Sequence, residues 1–305
     1  MENNMGTRAL VFILFATMFG IGVAASASDK ALDRSFAVQP GGRLSVQLDS
    51  GSIVVRGTDA NQVAVHLRAR GTERELAKLE WSAEKDAQGV VVKAKDRNEK
   101  GLFDWSNDME ITATIEVPRE YNLELSTAGG ALEVRDLHGK ANGRTSGGRI
   151  TVENVRGEVQ MRTSGGPIVA TKIEGATQLQ TSGGTIEATR IAGGLKAHTS
   201  GGSIRIAQAK GALDVHTSGG SIDIDLEGDN AGVSARTSGG SITLRAPKSL
   251  RASLNASTSG GRVKSDFPVA TNESSESSLH GTINGGGPEI VARSSGGSIR
   301  LVRRD

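Results

Sequence analysis

The sequence predicts an all-β fold: a β-solenoid of 18-residue coils with a β-rich N-terminal cap. Three observations carry this. First, Thr-Ser-Gly-Gly begins at Thr145, Thr163, Thr181, Thr199, Thr217, Thr237 and Thr258, with Thr-Ala-Gly-Gly at Thr127 and Ser-Ser-Gly-Gly at Ser294. From Thr127 to Thr217 the starts lie 18 residues apart, and the later gaps are 20, 21 and 36. A short fixed period marks a stacked repeat. Second, apolar and polar residues alternate within each unit, as on a strand with one buried face. Third, the 305 residues include 41 Gly and only 3% aromatics. That composition suits glycine corners around a narrow aliphatic core better than a globular core filled by rings.

Within the unit, Thr is position one. Position six is Leu132, Ile150, Ile168, Ile186 and Ile204, continuing as Ile222, Ile242, Val263 and Ile299. Position eight is Val134, Val152, Ala170, Ala188 and Ile206, and position eleven is Leu137, Val155, Ile173, Ile191 and Ala209. Position thirteen is always Gly, from Gly139 to Gly211, and positions fifteen and seventeen are mostly apolar. Each copy reads as strand, Gly corner, strand, Gly-Gly corner. Eighteen residues leave no room for a helix plus a strand. One coil alone cannot offset the ordering of its own backbone, so about nine coils are expected to stack about 4.8 Å apart. The isoleucines should form a core column. The threonines should form a ladder in which each hydroxyl bonds a neighbour.

Residues 1–27 read as an export signal. Arg8 precedes the uncharged run Ala9–Ala25, and Ala25-Ser26-Ala27 fits a cleavage site that leaves Ser28 first. The expected location is therefore exported: periplasmic first, otherwise secreted or cell surface. No transmembrane segment is expected in the mature chain. Residues 28–118 lack the register but read as strands. Phe36-x-Val38, Leu44-x-Val46-x-Leu48, the repeat echo Asp49–Val55, Val63-x-Val65-x-Leu67 and Glu110–Val117 carry the alternation, and Glu73–Lys78 suits one or two helical turns. This region is expected to cap the first coil, because an open solenoid end exposes strand edges. Residues 119–305 are the solenoid domain. Residues 265–281, rich in Ser and Glu, read as a loop insertion replacing one coil.

These features together resemble a bacterial β-strand-repeat family known as a "putative adhesin". The resemblance rests on the signal, Phe36-x-Val38, Val117-Pro118, the Thr-Ser-Gly-Gly-x-Ile units and the closing Ile283–Pro288 and Ser295–Ile299, and covers about residues 36–302. It implies a single-stranded β-helix, with right-handed coils, in the cell envelope. It implies no catalytic residue and no cofactor.

The net charge of +2 gives no ground for a nucleic-acid partner, and the absence of cysteine excludes disulfides and thiolate metal sites. The corner glycines lack the Gly-Lys-Ser/Thr ending and following helix of a phosphate loop. The residue before each Thr is more informative: Arg144, Arg162, Gln180, His198, His216 and Arg236. In register these form one outer column, with Asn142, Gln160, Gln178, Lys196 and Asp214 beside it at position sixteen. Such a strip suits an anionic glycan, another envelope component or an envelope protein. Its bland counterpart is an ordinary solvated sheet face. His198, His216 and Asp214 share that face and could meet as metal ligands, although no metal is expected. Phe103 and Trp105 could form a binding tip or part of the cap. The function expected is a non-catalytic binding or scaffolding protein. One alternative is a carbohydrate-active enzyme, with Asp223 and Asp225 near Arg205. Another is a periplasmic partner of an envelope-stress signalling system.

Overall fold

A computed structural model describes residues 28–97 and 109–304. The signal-like segment 1–27 and the aromatics Phe103 and Trp105 lie outside the described residues.

Each coil lays one strand on each of two faces. The back face carries positions six to twelve in Leu132–His138, Ile150–Arg156, Ile168–Glu174 and Ile186–Ala192. The front face carries positions fifteen onward in Asn122–Thr127, Ala141–Arg144, Val159–Arg162, Thr177–Gln180 and Leu195–Thr199. Neighbouring coils pair parallel and in register on both faces. Strands Ile204–Thr217 and Ile222–Thr237 run from back to front unbroken, so all strands join one 25-stranded sheet. Position six stacks as expected: Ile150, Ile168, Ile186, Ile204, Ile222 and Ile242 are successive partners, each at most 1% exposed.

The corners are held differently from the hydroxyl ladder expected. Thr145 Oγ1 donates to the Gly130 carbonyl at 2.9 Å, Thr181 to Gly166 at 2.9 Å and Thr217 to Gly202 at 2.8 Å. The same oxygen accepts from the second glycine of its own corner, as from Gly184 N at 3.2 Å. The hydroxyl thus joins one corner to the next through backbone, donating to one coil while it accepts from its own.

Position ten is another departure from a simple strand. Asp136, Asn154, Lys172, Arg190 and Gln208 all have φ between +54° and +59°. One left-handed residue shifts the alternation by one, so that position eleven again faces the core after six and eight.

Both ends are built out of chain order. At the N-terminal end, Arg43–Leu48 and Ser52–Thr58 lie between Asn122–His138 and the coil made by Gly89–Asp96 and Glu110–Pro118. The region 28–118 thus contributes coils of its own. Antiparallel strands then close both faces: Leu79–Lys85 on the front, and Gln62–Gly71 followed by Ser28–Ala37 on the back. Helix Glu73–Lys78 begins with a Thr72–Glu75 capping box and buries Leu76. At the C-terminal end, the last coil, Glu289–Ser294 and Ile299–Arg304, slides between Thr237's coil and the earlier coil Ala252–Ser265. Its Ile290, Ala292, Ile299 and Leu301 are at most 2% exposed, whereas Val263 in the outer coil is only half-buried. The coil with the fuller apolar set takes the position with two neighbours. Segment 265–281 is not a loop insertion. Val269–Ser274 and Ser278–Ile283 form a hairpin laid antiparallel on Ala252–Thr258, because that front edge needs a partner.

Candidate functional site

Positions fifteen and seventeen of the front strands are committed to the core, so sixteen and eighteen point outward. Parallel register turns each into a column. Arg144, Arg162, Gln180, His198, His216 and Arg236 are successive partners along position eighteen. Ser126 precedes them and Arg293 follows. Asn142, Gln160, Gln178, Lys196 and Asp214 run beside them at position sixteen.

Cavities open along this face. One of about 470 Å³ lies over Gln47, Asn142, Arg144, Gln160, Arg162 and Gln180. A second, of about 660 Å³, continues past Gln178, Lys196 and Asp214 to Arg236. They adjoin at Gln160 and Gln178; His198, His216 and Arg293 line neither, and Glu124, Glu158, Asp214 and Glu289 also border them.

The electrostatics of the two faces differ. On the front, Arg144 Nε donates to Ser126 Oγ at 3.0 Å, and Arg236 bonds the Ser234 hydroxyl. Among the described residues, Arg144, Arg162, Arg236 and Arg293 form no ion pair with a carboxylate. On the margin of these cavities, Gln160 Nε2 donates to Glu158 Oε1 at 2.6 Å and Lys140 sits 3.4 Å from its Oε2. The amide hydrogen bond first, and then the ammonium, hold the Glu158 carboxyl below its ordinary pKa. The back face pairs part of its charge, and Arg205, Lys264 and Arg300 form no ion pair among the described residues. Arg135 pairs with Glu133 at 2.5 Å and Glu153 at 3.1 Å, and Arg156 pairs with Glu174 at 3.2 Å.

His198, His216 and Asp214 do come together. The histidine rings stand edge to face with centroids 6.0 Å apart, and His198 Nε2 is 3.9 Å from Asp214 Oδ2. No group of three or more His, Asp or Glu among the described residues is arranged to hold a metal ion. Arg205 lies in register with Asp223, but Asp223 turns to Arg245 on its other side, and Asp225 takes Arg304 at 2.6 Å. Both carboxylates are engaged by guanidinium groups. Arg293 is the member of the column that sequence reasoning missed. Its place before Ser294 was visible, but its neighbour was not.

The Toastrack DUF4097 family model matches residues 42–302. The chain belongs to this family. The Toastrack chain is also similar to several solved structures. A "putative adhesin" from Bacteroides fragilis is 13% identical with a TM-score of 0.40, covering 90% of this chain and 97% of that one. A "putative adhesin" from Parabacteroides distasonis is 12% identical with a TM-score of 0.39, covering 90% and 97%. A "putative lipid binding protein" from the same species is 15% identical with a TM-score of 0.40, covering 89% and 96%. No curated protein matches the Toastrack chain. Among its described residues, no helix is long and apolar enough to cross a membrane.

Proposed function

We propose that this chain is an exported, non-catalytic binding or scaffolding solenoid of the cell envelope, with right-handed coils. Its partner lies on the front face. One observation carries the reading: Arg144, Arg162, Arg236 and Arg293 stand in one line on the front face, none with a carboxylate partner among the described residues, and the first three border two adjoining cavities. Exposed cations without a carboxylate partner are available to a ligand. The export reading rests on the signal-like residues 1–27.

The test is cross-linking in living cells combined with fractionation. A photoreactive residue at Gln178, where the two cavities adjoin, should trap an envelope component in the exported fraction. The same group at Thr171, on the back face, should trap little. Equal yields from both positions, or a cytoplasmic protein, would defeat the reading.

A further inference from the structure

The cations of the front column come in two couples. Arg144 and Arg162 are direct partners on neighbouring strands, and so are Arg236 and Arg293. The second couple is made by the end topology. In chain order, the position-eighteen residue after Arg236 is Ser257. The inserted last coil places Arg293 there and moves Ser257 one level outward. Like charges on directly opposed residues of neighbouring strands repel, so each couple attracts a shared anion. Four strand steps, about 19 Å, separate Arg162 from Arg236, and the full lane spans about 29 Å. Gln180, His198 and His216 fill the interval.

We infer that this lane holds a linear acidic polysaccharide along the solenoid axis, gripped at two points by the arginine couples. The inference rests on the binding role proposed above and names its ligand class. A compact anion calls for converging donors, whereas these cations lie on a line. The amides of Gln160, Gln178 and Gln180 each donate and accept, which suits sugar hydroxyls between acidic groups. No Phe, Tyr or Trp lines either cavity, so they lack the stacking platforms of single-strand nucleic-acid grooves.

The experiment titrates the purified chain with polygalacturonate, dextran sulfate, neutral dextran and an oligothymidylate. Both acidic polysaccharides should bind, and more weakly as salt rises. Arg144→Gln with Arg162→Gln should weaken binding about tenfold, and Arg236→Gln with Arg293→Gln by a similar factor. Lys264→Gln with Arg300→Gln is the control. It removes a cation couple of the same geometry from the back face and should change affinity less than about twofold. Monomeric galacturonate, too short to bridge, should be insensitive to loss of either single couple at the other end of the lane. An equal loss from all three double variants would mean unspecific attraction and would overturn the lane. Neutral dextran binding as well as the charged polymers would overturn the acidic class while leaving a glycan-binding face in place. Tighter binding of the oligothymidylate would replace the polysaccharide with a nucleic acid. Thermal melts check that each variant is folded.

Discussion

Gly166 shows how little room a corner leaves. A β-carbon there would stand 2.0 Å from the Gly148 carbonyl oxygen, in the coil before it. At Gly165, its neighbour, the nearest backbone atoms are 3.7 Å away. Both residues repeat as Gly, so they look equivalent in sequence, yet only the stacked coils give them different duties. Gly166→Ala is expected to cost more than about 3 kcal/mol, because a backbone cannot yield as a side chain does. Gly165→Ala should cost less than about 1 kcal/mol. Chemical denaturation of the two variants checks this, and equal losses would refute the stacking contact. Position ten is the opposite case, where the signal was present but unread. Core positions six, eight and eleven have an odd step between the last two. An odd step needs one residue outside the strand conformation, and Asp136 and Asn154 are types that accept it readily. Lys172 and Arg190 hide it, because neighbours in the stack impose the conformation on them.

At the scale of elements, the middle coils were legible and the ends were not. Register follows from identical neighbours: Ile on Ile and Thr on Thr admit few alternatives. Ends depend on which edge finds which cover, a long-range choice that no local pattern encodes. Strand Ser28–Ala37 illustrates such a cover. Lys30 Nζ donates to the Leu79 carbonyl at 2.8 Å and lies 5.3 Å from the Trp81 ring centre, tying the back-face edge to the front-face edge. Asp33 meets Arg68 at 2.9 Å and His66 at 2.7 Å. The Arg68 hydrogen bond first, then that of His66, hold the Asp33 carboxyl below its ordinary value of 3.8. The sign follows from that. A depressed carboxyl supports the docked strand fully above the ordinary value and loses its support as pH falls through the lowered one. Amide exchange of residues 28–37, corrected for intrinsic rate, should therefore stay slow to about pH 4 and quicken below it. In Asp33→Asn it should already be faster at neutral pH. An Asp33→Asn strand as protected as the native one would remove the tie.

As a whole molecule, the chain is a one-dimensional stack whose C-terminal coil is tucked one level inward, whereas strand Ser28–Ala37 is the outer edge of the back face at the other end. Fraying of that C-terminal coil must disturb a neighbour on each side. Asn230 marks the C-terminal junction. Its Nδ2 donates to the Pro288 carbonyl at 2.7 Å and to that of Arg251 at 3.2 Å, joining three successive coils. In a stack, stability is a sum of coil and neighbour contributions. Deleting residues 289–305 should therefore release protection across 252–283 while 141–192 keep theirs, as read by hydrogen exchange. Uniform loss across the chain would show a single cooperative unit instead. Repetition alone dictates the coil: its length, its inward columns, its glycine corners and the outward column from Arg144 to Arg236. Those are properties of a repeat meeting its own copy, and the copies are written in the chain. The order of the end coils, the hairpin over Ala252–Thr258 and the meeting of Arg236 with Arg293 emerge only once the chain has packed. The physical reason is that parallel edges at the ends are nearly equivalent partners, and burial of the more complete apolar coil on both sides chooses among them.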